Sequence, residues 1–151
     1  MADTHTAEVR SRNMSRVKGK DTGLEMLVRK HLFSHGFRYR LHSKHLPGKP
    51  DLVFPGFKTA LFVHGCFWHG HKGCRYATIP QTRTEWWQAK ITRNRSNDHK
   101  VVEALESLGW QVLVVWGCDL KPRMRGQRLA SLVEEVNSAR EQWERRNRQM
   151  I

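Results

Sequence analysis

Residues 51–64 read DLVFPGFKTALFVH, and this stretch decides the fold. Two short apolar runs rich in β-prone residues, Asp51 to Phe54 and Lys58 to His64, flank Pro55-Gly56, a pair typical of turns. The stretch therefore predicts a β-hairpin. The aspartate lies near the start of one arm and the histidine ends the other, so we expect both side chains at one end of the sheet.

Helical patterns lie on both sides of this hairpin. Upstream, Thr22-Gly-Leu-Glu25 matches a helix capping box, apolar residues follow at helical spacing, and Gly36 fits the helix end. Downstream, a helix is expected from Thr84 to Leu108, either continuous or broken near Asn94 to Asn97. A last helix is expected from Gln127 to about Trp143.

Two further stretches have strand patterns. Trp110 to Trp116, WQVLVVW, is the strongest strand in the chain, and Phe37 to Leu41 alternates apolar and basic residues like a half-exposed strand. Both end tryptophans of the first stretch are assigned to the core. The order helix, strands, helix, strand, helix predicts an α/β fold with a mixed central sheet flanked by helices.

The length of 151 residues fits a single domain. We assign residues 1–20 to an N-terminal helical arm, 21–120 to the core, and 121–151 to a C-terminal helix and basic tail. No stretch approaches the ~18–20 apolar residues of a membrane helix, and the opening MADTHTAEVR lacks the apolar segment of a secretory signal. We therefore expect a protein of the cytoplasm.

The chain carries a formal net charge of +13. A charge of this size suits a polyanionic partner, and nucleic acid is the usual one. A membrane surface is the next alternative, and an ordinary solvated basic surface would give much the same composition. Of these, the charge favours nucleic acid.

Three cysteines and one histidine suggest a metal site. Cys66, His71 and Cys74 lie close together, with four and then two residues between them, and Cys118 follows the WQVLVVW strand. An odd number of cysteines argues against a disulfide framework. A Cys₃His set is typical of structural zinc. Three buried free cysteines are the alternative, and His69 is a competing imidazole ligand.

Asp51 is the best donor for a hard divalent ion, because Mg²⁺ prefers oxygen ligands. The adjoining strand could add a backbone carbonyl, and His64 and His69 are the nearby candidates for an acid or base. The alternative for Asp51 is an ordinary loop aspartate. For Glu25 it is the capping box, which explains the residue without chemistry.

Several motifs together resemble one family. FVHGCFWHGH at 62–71 resembles the signature of very short patch repair endonucleases, which nick DNA beside T:G mismatches. The same family is matched, in order along roughly residues 10 to 120, by SRNMSRVKGKDTGLE at 11–25, LPGKPDLVF at 46–54, TRTEWW at 82–87 and LGWQVLVVWGC at 108–118. The resemblance implies a restriction-endonuclease-like fold, a DNA-contacting arm and a nuclease core.

The resemblance also implies roles for individual residues. Asp51 and the backbone carbonyl of Val63 would ligate Mg²⁺, and His69 would be the general base, with His64 and Glu25 supporting the hydrated metal and the phosphate. The structural zinc would bind Cys66, His71, Cys74 and Cys118, in agreement with their spacing. The DNA wedges would be Met14 from the minor groove and Phe67, Trp68 and Trp87 from the major groove.

The chain departs from the broader nuclease pattern Pro-Asp…(Asp/Glu)-x-Lys at two positions. Phe62 stands where the second acidic ligand would be, and His64 stands where the lysine would be. Both departures fit the subfamily. They make the generic pattern weaker support than the subfamily motifs.

The function predicted is a Mg²⁺-dependent nicking endonuclease. In the family the enzyme cuts the phosphodiester 5′ of the mispaired thymine, where 5-methylcytosine has been deaminated. We expect a monomer that acts on mismatched duplex DNA, with other mismatch-repair proteins as candidate partners. The alternatives are a zinc-stabilised DNA-structure binder without catalysis, and a nuclease of the same fold that cuts another structure such as a junction.

Overall fold

The computed structural model describes residues 22–149, which form one four-stranded sheet with helices on both faces. The helices are α1 (Gly23–Ser34), α2 (Thr84–Ser107) and α3 (Pro122–Gln149), and the strands are β1 (Arg40–Leu41), β2 (Leu52–Phe54), β3 (Thr59–His64) and β4 (Gln111–Trp116). The strands lie in the order β1-β2-β3-β4; the first two pairings are antiparallel, and β3 pairs with β4 in parallel. This confirms the predicted mixed α/β fold.

Helix α1 begins and ends where its caps predicted. The Thr22 hydroxyl accepts a hydrogen bond from the Glu25 backbone N–H at 3.2 Å. At the other end the chain turns at Gly36, whose φ of +88° is in the left-handed region that glycine adopts without strain. The apolar face between these caps buries Val28 and Leu32 completely.

The predicted hairpin is formed by β2 and β3. Leu52 pairs with Leu61 and Phe54 with Thr59, and Pro55–Phe57 makes a short 3₁₀ turn between the arms. The strand predicted over residues 37–41 is shorter than expected. Only Arg40 and Leu41 pair with β2, and both side chains are exposed, so this edge strand gains little from burial.

The parallel pairing of β3 with β4 requires a crossover, which α2 provides. Helix α2 is continuous, so the alternative of a break near Asn94 to Asn97 is wrong. The register pairs His64 with Trp116, the last residues of both strands. The segments that follow β3 and β4 therefore leave the sheet side by side.

Alternate residues of the sheet face two apolar layers. The layer beneath α1 and α3 contains Leu52, Leu61 and Val115, and the layer on the other face is formed by Ala60 and Phe62 of β3 packed against Leu105 of α2. Trp110 packs against the second layer, as predicted. The period of two along β3 also places His64 on the α2 side of the sheet, together with Phe62.

Helix α3 begins earlier than predicted, at Pro122 rather than near Gln127, since proline fits the first helical position. Its inward residues Leu129, Leu132 and Val136 are buried as expected. Within residues 22–149 no helix has the length and apolarity that crossing a bilayer requires. The predicted N-terminal arm, residues 1–20, lies outside the described residues.

Candidate active site and metal centre

Asp51 lies directly before β2 and faces the edge of β3. Its Oδ2 accepts a hydrogen bond of 2.7 Å from the backbone N–H of Val63. The N–H and the carbonyl of one strand residue point to the same neighbour. The Val63 carbonyl therefore faces this edge too, where a cation held by Asp51 would lie.

Glu25 reaches the same place from α1. The residue is 1% exposed, and its carboxylate contacts His42 Nε2 at 2.9 and 3.0 Å and Arg29 at 3.3 Å. Ligand atoms of Glu25, His42 and Asp51 all lie within 4.8 Å of one another. The capping interpretation holds for the backbone N–H of Glu25, whereas its carboxylate belongs to this cluster. Sequence reasoning missed His42.

The environment of Asp51 favours a bound cation. Burial raises the pKa of the Asp51 carboxyl to about 6, and the nearby Glu25 carboxylate pushes it the same way, while the Val63 N–H opposes the rise. Two carboxylates brought together out of bulk water are stabilised by a divalent ion. The carboxylate oxygens of Asp51 and Glu25 suit Mg²⁺, while the His42 imidazole contacts the Glu25 carboxylate.

Two histidines lie beside this cluster. The rings of His64, at the end of β3, and His69, in the following loop, are parallel, with centroids 3.8 Å apart and an interplanar angle of 5°. His69 Nδ1 lies 2.7 Å from Asp98 Oδ2 on α2. Because a carboxylate accepts hydrogen bonds, Nδ1 is the donor, and Nε2 of a neutral His69 is left as the proton acceptor.

Asp98 is a residue of the candidate site that sequence reasoning missed. It lies four positions after Asn94, whose side-chain amide donates a 2.9 Å hydrogen bond to the backbone carbonyl of Trp68. Positions i and i+4 share one helix face, so both residues hold the loop that carries His69. The i, i+4 spacing of Asn94 and Asp98 was the signal available in the sequence.

His64 is buried, with 8% of its surface exposed. Burial lowers the pKa of the His64 imidazole to about 3, and the neighbouring His69 adds to the effect. The ring is therefore neutral at physiological pH. Within the described residues its Nδ1 has no hydrogen-bond partner.

One cavity of about 690 Å³ connects the two groups. Its lining includes Glu25, Asp51, His64, His69 and Asp98. A polyanionic substrate in this cavity would meet a cation site on one wall and an oriented imidazole on the other.

The predicted zinc ligands come together at the neighbouring edge. One ligand atom from each of Cys66, His71, Cys74 and Cys118 lies within 4.8 Å of all the others. A tetrahedral zinc with ~2.3 Å bonds to sulfur needs ligand atoms about 3.8 Å apart, so the set fits after small adjustments. The parallel pairing of β3 and β4 explains the remote fourth ligand, since Cys118 follows β4 and the others follow β3.

The details of this cluster select His71 over His69. His71 Nδ1 lies 3.5 Å from Cys118 Sγ, while His69 is hydrogen-bonded to Asp98. The Cys118 backbone N–H donates to Cys66 Sγ at 3.3 Å. Burial raises the pKa values of the Cys66 and Cys118 thiols. A bound zinc would reverse that shift, because it holds thiolates.

Trp116 is part of this centre rather than ordinary core, which corrects the sequence assignment. Its ring is parallel to that of His71, with centroids 4.0 Å apart, and meets His64 edge-on at 5.2 Å. The tryptophan thus contacts one candidate zinc ligand and one candidate active-site histidine.

The predicted DNA wedges form one aromatic cluster. Phe67, Trp68 and Trp87 meet edge to face, with ring centroids 5.2 to 5.9 Å apart, and each is partly exposed. Trp86, which was not predicted, extends the cluster and is 47% exposed. Met14 lies outside the described residues. Because these rings contact one another and keep part of their surface exposed, DNA bases can pack against them.

Comparisons with known proteins agree with one another. A family model described as DNA mismatch endonuclease Vsr matches residues 2–75. A type II nicking enzyme, V.XorIIP, of Xanthomonas oryzae is 49% identical over 120 residues, 80% of this chain and 88% of the relative. The type II nicking enzyme V.NmeAIP of Neisseria meningitidis is 45% identical over 92% of this chain and 99% of its own. The DNA mismatch endonuclease Vsr of Escherichia coli is 41% identical over 82% of this chain and 78% of its own.

Proposed function

The chain belongs to the Vsr family of DNA mismatch endonucleases, and on that premise we propose that it nicks DNA 5′ of the thymine in a T:G mismatch, with Mg²⁺ at Asp51. The substrate is duplex DNA in which 5-methylcytosine has been deaminated. The observation that carries the proposal is one cavity lined by the Glu25–Asp51 carboxylates and the His69–Asp98 pair.

Each residue has a proposed role in this reaction. Asp51 and the Val63 carbonyl hold Mg²⁺, which supplies electrostatic stabilisation of the charge that develops on the phosphate. His69 Nε2 takes a proton from the attacking water, and Asp98 holds the ring in the tautomer that can do so. The neutral His64 and the buried Glu25 position the phosphate and the hydrated ion. The zinc set, Cys66, His71, Cys74 and Cys118, supports the fold.

We further propose that the protein works as a monomer in the bacterial cytoplasm, with other mismatch-repair proteins as later partners. Residues 1–20 act as the DNA-contacting arm, 21–120 as the nuclease core and 121–151 as a C-terminal helix and basic tail. The net charge of +13 supports the contact with DNA.

The deciding experiment compares three substrates in Mg²⁺: a T:G duplex, the same duplex with T:A, and a four-way junction. We expect a single nick 5′ of the mispaired thymine and little cutting of the other two. Binding of the T:G duplex without any nick would favour a recognition module without catalysis. Preferential cutting of the junction would favour a different substrate for the same fold.

The two histidines should differ in their effects on rate. His69→Ala should slow nicking by ~10²–10⁴-fold, the usual contribution of a positioned base, and His64→Ala should slow it less. Asp98→Asn should also slow nicking, because an amide NH₂ turned toward Nδ1 would reverse the tautomer of His69. Single-turnover rates measure these effects. A larger loss for His64→Ala than for His69→Ala would exchange the two roles.

Trp68→Ala should lower the preference for T:G over paired DNA at a fixed salt concentration. Apolar wedges cost least where stacking is already weak, and ring–base stacking returns about 1–3 kcal/mol. The slope of log affinity against log salt should change little, because phosphate contacts set it. Trp110→Ala, in the core, is the control and should instead lower stability and both affinities together. A folded Trp68→Ala protein with unchanged preference would contradict the wedge role.

A further inference from the structure

A second cavity adjoins the proposed active site. It has a volume of about 570 Å³ and shares His64, His69 and Asp98 with the first cavity. The rest of its lining comes from the loop after His69, from α2 and from β4, and it includes Lys72 and Arg95. The histidine pair thus stands between a carboxylate-lined space and a space with cationic side chains.

The charges in this second cavity leave two cations available. Asp98 is hydrogen-bonded to His69, and His99 forms an ion pair with Glu103 at 3.3 Å. Within residues 22–149, neither Lys72 nor Arg95 forms an ion pair. Two cations without an ion-pair partner in the described part of the chain, placed around one cavity, raise the local concentration of anions.

Arg95 is positioned by a glycine. Gly70 has a φ of +58°, and a Cβ built on it would lie 2.6 Å from Arg95 Cδ and 3.0 Å from Cγ. The aliphatic stem of Arg95 therefore packs against the bare backbone of the loop that carries His69. This packing restricts the guanidinium to the neighbourhood of the cavity, since less freedom remains for the stem.

We propose that this second cavity binds a DNA backbone phosphate next to the phosphodiester that is cut, with Arg95 and Lys72 as its ligands. The inference rests on the proposed function, since it takes the cut phosphate to lie between Asp51 and His69. Successive phosphates of one strand are joined through a single deoxyribose, so we assign the neighbour of the cut phosphate to the cavity that shares His64, His69 and Asp98 with the first one. The apolar floor, which includes Val114 and Trp116, suits the intervening deoxyribose.

The geometry gives these residues a positioning role. A neighbouring phosphate fixed beside His69 would hold the cut phosphate at a constant distance from the base and from Asp51. Guanidinium and ammonium groups form strong charge-assisted hydrogen bonds with phosphate oxygens. We therefore expect Arg95→Gln to weaken DNA binding and also to lower the single-turnover rate at saturating enzyme.

The first test measures binding of the T:G duplex at several salt concentrations without divalent metal, so that no strand is cut. Arg95→Gln should reduce the slope of log affinity against log salt by about 0.9, the value for one phosphate contact. Arg93→Gln is the matched control, since Arg93 is exposed on the same helix and lies outside both cavities. Equal changes in the two variants would contradict a specific contact.

The second test replaces single phosphates in the DNA by neutral methylphosphonates. At one of the two phosphates adjoining the cut, the replacement should weaken binding to the wild-type protein by about tenfold. The same replacement should cause little loss of binding to the double variant Lys72→Gln/Arg95→Gln. Equal losses in both proteins at both neighbouring phosphates would overturn the proposal.

These binding measurements separate the two proposals. If the wild-type protein nicks the T:G duplex but the methylphosphonates weaken binding equally in the wild type and the double variant, only the cavity assignment fails. If a methylphosphonate beside the phosphodiester 5′ of the mispaired thymine weakens binding to the wild type only, but the duplex is not nicked, the phosphate site stands and the proposed function fails.

Discussion

Asp51→Asn should reduce nicking of a T:G duplex by about 10³-fold or more while mismatch binding remains close to that of the wild type. The carboxylate is the proposed link between Mg²⁺ and the end of β3, where it also accepts the hydrogen bond from Val63. An asparagine can keep that hydrogen bond but brings no charge to the ion. Single-turnover nicking and equilibrium binding measure the two effects. A near wild-type rate in Mg²⁺ would place the metal elsewhere.

Asp51→Asn should also change the stability of the fold, in a way that depends on pH. In the metal-free protein the pKa of Asp51 is about 6, above its value of 3.8 in an unfolded chain. The stability that this difference contributes is fully present below pH ~4 and is lost as the pH rises through about 6. Asp51→Asn should therefore be more stable than the wild type at pH 8, by on the order of 1–2 kcal/mol after allowance for partial solvent exposure, and less so at pH 4.

Loss of zinc should have the largest effect on stability. We expect one tightly held zinc per chain, and Cys118→Ala should lose the ion and unfold or aggregate, because structural zinc can contribute on the order of 10 kcal/mol to folding. Cys118 connects the turn after β4 to the loop after β3, so its removal would release that loop from the turn. Metal analysis with thermal unfolding measures both consequences.

The two loop histidines offer a matched pair for this experiment. His71→Ala should reduce zinc content and stability. His69→Ala should retain the zinc, because His69 is hydrogen-bonded to Asp98 rather than grouped with the cysteines. A folded, active preparation without zinc would refute the structural role. Zinc loss in His69→Ala with retention in His71→Ala would exchange the ligands.

The sequence by itself determined the local elements. Apolar runs around Pro55-Gly56 specified the hairpin, and the WQVLVVW run specified β4. Thr22 and Gly36 specified the ends of α1. These features depend on side-chain period, turn chemistry and caps, which act over a few residues. The same locality explains why the spacing of Cys66, His71 and Cys74 already indicated a metal site.

Only the tertiary structure decided which distant residues meet. The parallel register of β3 with β4 brought Cys118 to the other candidate zinc ligands and Trp116 to His64 and His71. The crossover of α2 brought Asp98 to His69. Such pairings join residues tens of positions apart, and neither period nor propensity carries that information. They follow from strand register and from the burial of both faces of one sheet, which the whole chain determines together.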